Sequence, residues 1–219
     1  LGQAALGVGE AAAPRWVMPR VGPGETLAAQ LVRPTDLRRS PGGDVVTRLD
    51  TVTRFGSPQT LAIVSGRDGW YEVLSAALRN GETGWIEADD ATVLRETWSI
   101  EVDLSRLELT LLHQGRVYAR MEAGIGAPGM ATPSGLYAVT DRLTAPPGIG
   151  YGCCILGLTG RQPDIPQGWQ GGDRIAIHGT DDAGSIGAAT SHGCIHLGDA
   201  DIRLLMAHVP LGAQVRVVA

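Results

Sequence analysis

The sequence predicts a mainly β protein in two units, a small barrel followed by a larger β-rich domain with a few short helices. Three observations predict it. Between about Glu25 and Glu96, short β-favouring runs recur between turn residues: Asp44–Leu49, Thr60–Val64, Gly69–Leu74 and Gly84–Ile86. Strands of that length and spacing suit a small barrel. From Trp98 the pattern becomes cleaner, with Ile100, Val102 and Leu104 alternating with Glu101, Asp103 and Ser105, and Leu107, Leu109 and Leu111 with Glu108, Thr110 and Leu112. That is the period of strands with one buried face. Near the end, Ile202, Leu205 and Met206 share one helical face behind Asp199, a residue suited to capping a helix.

Composition excludes several function classes. A chain of 219 residues with 43% hydrophobic residues can bury a sizeable core, and its net charge of −5 shows no basic excess. Nucleic acid and anionic membrane surfaces are therefore set aside as partners. No apolar run reaches the roughly 18 to 20 residues of a spanning helix. The chain starts Leu1-Gly2-Gln3 with no initiator Met, which fits removal of an export signal and fits a trimmed cytosolic protein equally.

Residues 1–24, with Pro14, Pro19, Pro23 and Gly24 and no sustained period, read as a tail or linker. Residues 25–96 hold no Cys or His, so the first unit reads as accessory. Its Trp70 and Trp85 suit half-buried indoles closing a barrel, or a ligand-stacking surface. Residues 97–219 form the second unit. After the alternating strands, His113-Gln114-Gly115 reads as a solvated turn, and Val117, Ala119 and Met121 alternate again. Thr132-Pro133-Ser134-Gly135 is a turn entering another strand. The Gly- and Pro-rich region from Ala145 to Gly172 has no period and reads as a long loop covering a substrate groove, with Tyr151 and Trp169 as candidate contacts. Arg174–Ile177 is a short buried strand ending at His178. His208 falls in the last helical turn, where a cation is favourable, and Val215 and Val217 belong to a closing strand.

The chemistry concentrates in Ser191-His192-Gly193-Cys194-Ile195-His196-Leu197. A thiol attacks as thiolate, and at an ordinary pKa of about 8.5 only a few per cent is ionised near neutrality. An imidazole partner changes that. Candidates are His192 and, from upstream, His178 in Ile177-His178-Gly179-Thr180, and the sequence does not choose between them. Gly193 permits a sharp turn in which backbone N–H groups converge on one point, as an oxyanion hole requires. A metal reading is weaker: extended at about 3.3 Å per residue, His192 and His196 lie about 13 Å apart, too far to share one zinc ion. A folded site from His178, His192 and Cys194 remains the metal alternative, and a merely buried Cys194 the bland one. Cys153 and Cys154 are adjacent and read as two small, partly buried thiols, since bonding them closes a strained ring.

Two resemblances add to this. Arg38-Arg39-Ser40-Pro41-Gly42-Gly43, Gly69-Trp70-Tyr71-Glu72-Val73 and Gly84-Trp85-Ile86 resemble the landmarks of a bacterial SH3-like domain, often a cell-wall-binding module. Ile177-His178-Gly179-Thr180 followed by Ser191-His192-Gly193-Cys194-Ile195, with Thr132-Pro133-Ser134-Gly135 upstream, resembles the L,D-transpeptidase catalytic domain family over roughly residues 98–219. The resemblance implies Cys194 as nucleophile, His178 as base and the Gly179 carbonyl as its orienting group. It implies an oxyanion hole from the backbone of His192, Gly193 and Cys194, with Ser191 and the His192 side chain supporting the turn. His196 stands where the family usually has Arg or Asn, which bears on substrate preference.

The implied activity is cross-linking of peptidoglycan stem peptides through a Cys194 thioester with release of terminal D-alanine, needing no ATP, metal or other cofactor. Carbapenem-type β-lactams would be inhibitors, and the location would be the periplasm or cell wall. The alternatives are an L,D-carboxypeptidase that hydrolyses the same bond and a non-catalytic peptidoglycan-binding protein.

Overall fold

The computed structural model describes residues 16–165 and 172–219. Its first unit is one seven-stranded sheet made of β1 (Thr26–Leu31), β2 (Thr35–Arg38), β3 (Val45–Leu49), β4 (Thr60–Arg67), β5 (Trp70–Val73), β6 (Gly84–Glu87) and β7 (Ala91–Glu96). The strand order is β3-β2-β6-β5-β4-β1-β7. Each run expected from the sequence is a strand. β1, β2 and β7 were not foreseen. In β1 the buried Ala28 and Ala29 sit beside buried Leu27 and Leu31, so no alternation marks it. The sheet closes over Leu27, Leu37, Leu61, Val73 and Ile86. Burying each such side chain contributes on the order of 2 kcal/mol. Trp70 and Trp85 are half-buried, and Arg67 lies over the Trp85 ring at 5.1 Å.

Within the expected tail, Trp16 and Met18 pack on the core of the first sheet, and the Trp16 ring lies 5.5 Å from that of Tyr71. The first unit therefore recruits residues N-terminal to Glu25, because an otherwise exposed indole gains more from apolar burial than the segment loses in freedom.

The second unit is built on an eight-stranded sheet of order β10-β9-β8-β17-β12-β13-β14-β16. The strands are β8 (Trp98–Asp103), β9 (Glu108–His113), β10 (Arg116–Glu122), β12 (Gly135–Thr144), β13 (Cys154–Arg161), β14 (Arg174–Gly179), β16 (Ile195–Leu197) and β17 (Gln214–Val218). A short pair, β11 (Ile125–Gly126) with β15 (Ala189–Ser191), runs parallel beside it. Helix α1 (Asp199–His208) covers one face, burying Ile202 and Leu205. The core joins Leu109, Leu111, Leu156, Leu158, Ile177 and Val215.

Several expectations are corrected here. The Ala145–Gly172 region is not one loop, because β13 runs through it as a central strand hydrogen-bonded to β12 and β14. Its outward positions Ile155 and Gly157 are half-buried but apolar, so no polar alternation marks the strand, and Gly157 and Gly160 disguise it further. Val117 is 53% exposed, since β10 is an edge strand whose register shifts between Val117 and Ala119. His113 is not a solvated turn residue. It ends β9 opposite Trp98, whose indole stacks between His113 at 4.2 Å and His208 at 4.5 Å. Asp199 does not cap the helix; Gly198 is the cap residue, and Asp199 Oδ1 instead accepts from the Cys153 N–H at 3.2 Å. Cys153 and Cys154, expected as thiols, are joined in a disulfide between adjacent residues.

The two units are fastened together. Ala62 and Leu74 bury against Ala138, with Val64 and Leu136 around them. Asn80 exchanges hydrogen bonds with the Arg161 backbone, donating to its carbonyl at 2.7 Å and accepting from its N–H at 2.9 Å. Thr53 Oγ1 donates to Asp141 Oδ1 at 2.5 Å.

Candidate active site

The site lies where β14 and β16 run parallel. Their register pairs Ile177 with Ile195 and His178 with His196. β14 thus carries His178 to its C-terminal end, while the turn entering β16 holds Cys194. Buried Ile177 and Ile195 anchor the two strands beneath. The intervening loop contains a short 3₁₀ turn, Ala183–Ser185, in which the Asp182 carboxylate accepts the Gly184 N–H.

The Ser191–Cys194 turn is closed by one hydroxyl. Ser191 Oγ donates to the Cys194 carbonyl at 2.6 Å and accepts from the Gly193 N–H at 3.1 Å. Gly193 has φ +108°, and a Cβ there would stand 2.6 Å from Gln162 Nε2. Only glycine fits both the dihedral and the space. The Gly193 N–H is thus engaged by Ser191 within the turn.

His178 is 3% exposed, and its Nδ1 lies 2.5 Å from the Gly179 carbonyl. A carbonyl only accepts, so Nδ1 carries the proton and Nε2 keeps its lone pair. The ring is held between Tyr151, edge-on at 4.5 Å, and His196 at 4.7 Å. Behind it the backbone is tightly packed: a Cβ on Gly179 would lie 2.7 Å from Asp199 Oδ1. His196 Nδ1 lies 3.0 Å from Ser185 Oγ.

Electrostatics favour neutral partners. Burial lowers the His178 pKa to about 4, against the opposing pull of the Gly179 carbonyl; nearby His196 lowers it further. Cys194 keeps a partly exposed face, yet crowding by protein atoms pushes its thiol up, with a backbone hydrogen bond at Ala176 opposing. Both shifts favour the neutral thiol and the neutral imidazole in the free protein. Burial also raises Tyr151, with the neighbouring Cys194 adding to it, and lowers His196.

Tyr151, His178, His192, Cys194 and His196 line one cavity of ≈ 200 Å³. Of the other expected side chains, Ser191 closes the turn beside this cavity, and Trp169 lies outside the described residues. Gln162 was missed. It is 1% exposed and holds the turn's underside through Nε2, which donates to the Ala131 carbonyl at 2.8 Å. A lone Gln before Pro163 gives no sequence signal. Arg54, Phe55, Asp141 and Arg174 were also missed; they line an adjoining cavity of ≈ 490 Å³ that also reaches Cys194.

A β-rich domain thus presents a histidine at the end of one strand and a cysteine at the entry of its parallel neighbour. Residues 97–217 match the family model YkuD, the L,D-transpeptidase catalytic domain, and the chain belongs to that family. It is similar to "Probable L,D-transpeptidase ErfK/SrfK" of Salmonella typhimurium, at 33% identity over 109 residues, 43% of this chain and 35% of the relative. It is also similar to "Probable L,D-transpeptidase YbiS" of Escherichia coli K12, at 41% over 59 residues, 26% of this chain and 19% of that relative. The match thus spans well under two thirds of either relative's length. An X-ray structure of an L,D-transpeptidase from Mycobacterium tuberculosis H37Rv aligns with a TM-score of 0.48 at 18% identity, covering 65% of this chain and 67% of that one.

Proposed function

We propose that the chain is a cell-envelope L,D-transpeptidase, exported to the periplasm or cell wall, acting on peptidoglycan tetrapeptide stems. The observation that carries this reading is His178, buried beside Cys194 with Nδ1 fixed on the Gly179 carbonyl and Nε2 left as an acceptor. In acylation, Cys194 Sγ attacks the carbonyl of the L-centred diamino-acid residue while its proton passes to His178 Nε2. Transfer together with attack suits a site in which both partners rest neutral. The oxyanion is assigned to the Cys194 backbone N–H beside His192, and a donor there is worth roughly 3 kcal/mol in the transition state. The C–N bond to D-alanine then breaks, the imidazolium gives its proton to the leaving amine, and a thioester remains. An amine of a second stem, its proton taken by His178, displaces Cys194 and forms the cross-link. Water in its place would give the L,D-carboxypeptidase outcome.

The same attack opens a β-lactam ring, so carbapenems are expected to acylate Cys194. Residues 25–96 are read as an SH3-like unit that contacts the wall. Among the described residues no helix is long and apolar enough to cross a membrane.

The test is intact mass spectrometry with a carbapenem and product analysis with a tetrapeptide donor and a stem-amine acceptor. An adduct on the native protein that is lost in Cys194→Ala, with cross-linked product, is the expected result. No adduct, or an adduct that survives the substitution, would overturn it.

A further inference from the structure

The cavity of ≈ 490 Å³ beside Cys194 is walled on one side by the other unit. The segment between β3 and β4 contributes Arg54 and Phe55, and the catalytic sheet contributes Leu143, Ile155, Arg174 and Cys194. This segment is a built turn. Thr53 N donates to the Ser57 carbonyl at 2.8 Å, and Gly56 N to the Thr53 carbonyl at 2.9 Å. Thr53 Oγ1 accepts from Phe55 N and Ser57 N while donating to the buried Asp141 carboxylate. The turn is thereby docked on the catalytic sheet at a fixed height above the groove.

Charge in the groove is unbalanced. Arg174 is largely buried and uses its guanidinium on the Leu158 carbonyl and Thr140 Oγ1. Among the described residues Asp141 is the one carboxylate lining this cavity, and Asp173 nearby is held by Arg161. Arg54 is exposed, lies over the Phe55 ring at 4.6 Å, and makes no ion pair among the described residues. Its Nη2 reaches across to within 3.8 Å of where a Cβ on Gly172 would be. Two guanidiniums against one carboxylate leave a surplus positive charge, carried on a planar fork above apolar walls. That is the setting in which Arg binds a carboxylate bidentately.

We propose that the first unit completes the donor groove, with Arg54 binding a carboxylate of the peptide that acylates Cys194. This rests on the peptidoglycan reading above for the identity of the peptide, but its test does not need turnover. Phe55, Leu143 and Ile155 cover the aliphatic part of the same peptide, and Arg174 sets the positive potential from below. The first unit is then part of the substrate site, whatever else it binds.

Binding is measured by calorimetry on the full chain carrying Cys194→Ala, with and without Arg54→Gln or Arg54→Lys. The probe is a tetrapeptide of L-alanine, γ-linked D-glutamate, meso-diaminopimelate and D-alanine, with each carboxylate amidated in turn. Arg54→Gln should weaken the free acid about ten-fold or more, and Arg54→Lys, which keeps the charge but not the planar fork, should recover only part of that. The amide that removes the recognised carboxylate should bind as weakly to Cys194→Ala as the free acid does to the Arg54→Gln form, and lose nothing more on adding Arg54→Gln. That amide identifies which carboxylate is read. Unchanged binding in Arg54→Gln, equal loss for the acid and every amide, or no binding to Cys194→Ala overturns the proposal. Arg54-dependent binding to Cys194→Ala without acylation of the native protein would leave the subsite standing and remove the transpeptidase reading.

Discussion

Gln162 Nε2 stands 2.6 Å from the point that a Cβ on Gly193 would occupy, so a buried amide and a left-handed glycine fix each other beside Cys194. The amide cannot retreat without leaving the Ala131 carbonyl, to which it donates at 2.8 Å. The glycine cannot gain a side chain without moving the Cys194 backbone.

Gly193→Ala is therefore expected to cost function more than folding. At φ +108° the added methyl is strained whatever the space, and relief tilts the turn that aims the Cys194 N–H. Loss of one oxyanion donor lowers the rate about 10²–10³-fold. Stopped-flow acylation by a carbapenem should fall by that order, while iodoacetamide still alkylates Cys194. An acylation rate within a factor of three of the native protein would show that the turn has no such role.

The pH behaviour follows from two neutral partners. His178 titrates at about 4 when folded and near its ordinary 6.5 when unfolded. Between those values the unfolded chain holds the extra proton, so stability is complete above about 6.5 and is lost as pH falls toward 4, by on the order of 3 kcal/mol. His178→Gln should flatten the dependence of Tm on pH across that window. In the native protein, alkylation of Cys194 by iodoacetamide should climb steadily with pH through and beyond the ordinary thiol range, because burial raises the thiol. A rate plateau beginning below pH 6 would instead reveal a thiolate–imidazolium pair.

Much of this was legible in the sequence, and for physical reasons. Strands with one wet face announce themselves by alternation, which is why β8 and β9 are read correctly from Trp98 onward. The His178 and Cys194 segments are legible because few core strands place so many polar and glycine residues together. What was hidden depends on partners far along the chain. β13 carries the apolar Ile155 and Gly157 on its half-buried, groove-facing side and so has little polar rhythm. Thr53 meets Asp141 across 88 positions, and no local pattern encodes that Arg54 stands over the cavity of Cys194. The neutral state of the site is equally invisible, since desolvation is a property of the packed fold.

The bond between Cys153 and Cys154 makes a simple count of thiols decisive. Cys194 is the single free cysteine among the described residues. N-ethylmaleimide under denaturing, non-reducing conditions should add one label to the full chain, and three after reduction. Three labels before reduction would return Cys153 and Cys154 to the thiol state that their sequence alone suggests. Because Tyr151, which packs on the His178 ring at 4.5 Å, lies two residues before Cys153, reduction is also expected to slow carbapenem acylation in a Cys194-dependent manner.

Thr53 and Asp141 supply the last test, of how firmly the first unit is set against the catalytic sheet. Asp141 is 1% exposed and takes hydrogen bonds from Thr53 Oγ1 and Thr140 Oγ1. Thr53→Val keeps the shape but removes one donor from a buried carboxylate, at a cost of about 1–3 kcal/mol. It also frees Phe55 N and Ser57 N, which the same hydroxyl now satisfies. Thr53→Ser retains the hydroxyl and should stay within about 0.5 kcal/mol of the native protein. Thermal melting at pH 7 checks the first claim, and donor-peptide KM checks the second. KM should rise in Thr53→Val with alkylation of Cys194 unchanged, because the turn carrying Arg54 shifts while the thiol does not. If Thr53→Val and Thr53→Ser behave alike in both measurements, the hydroxyl does not hold the two units in register.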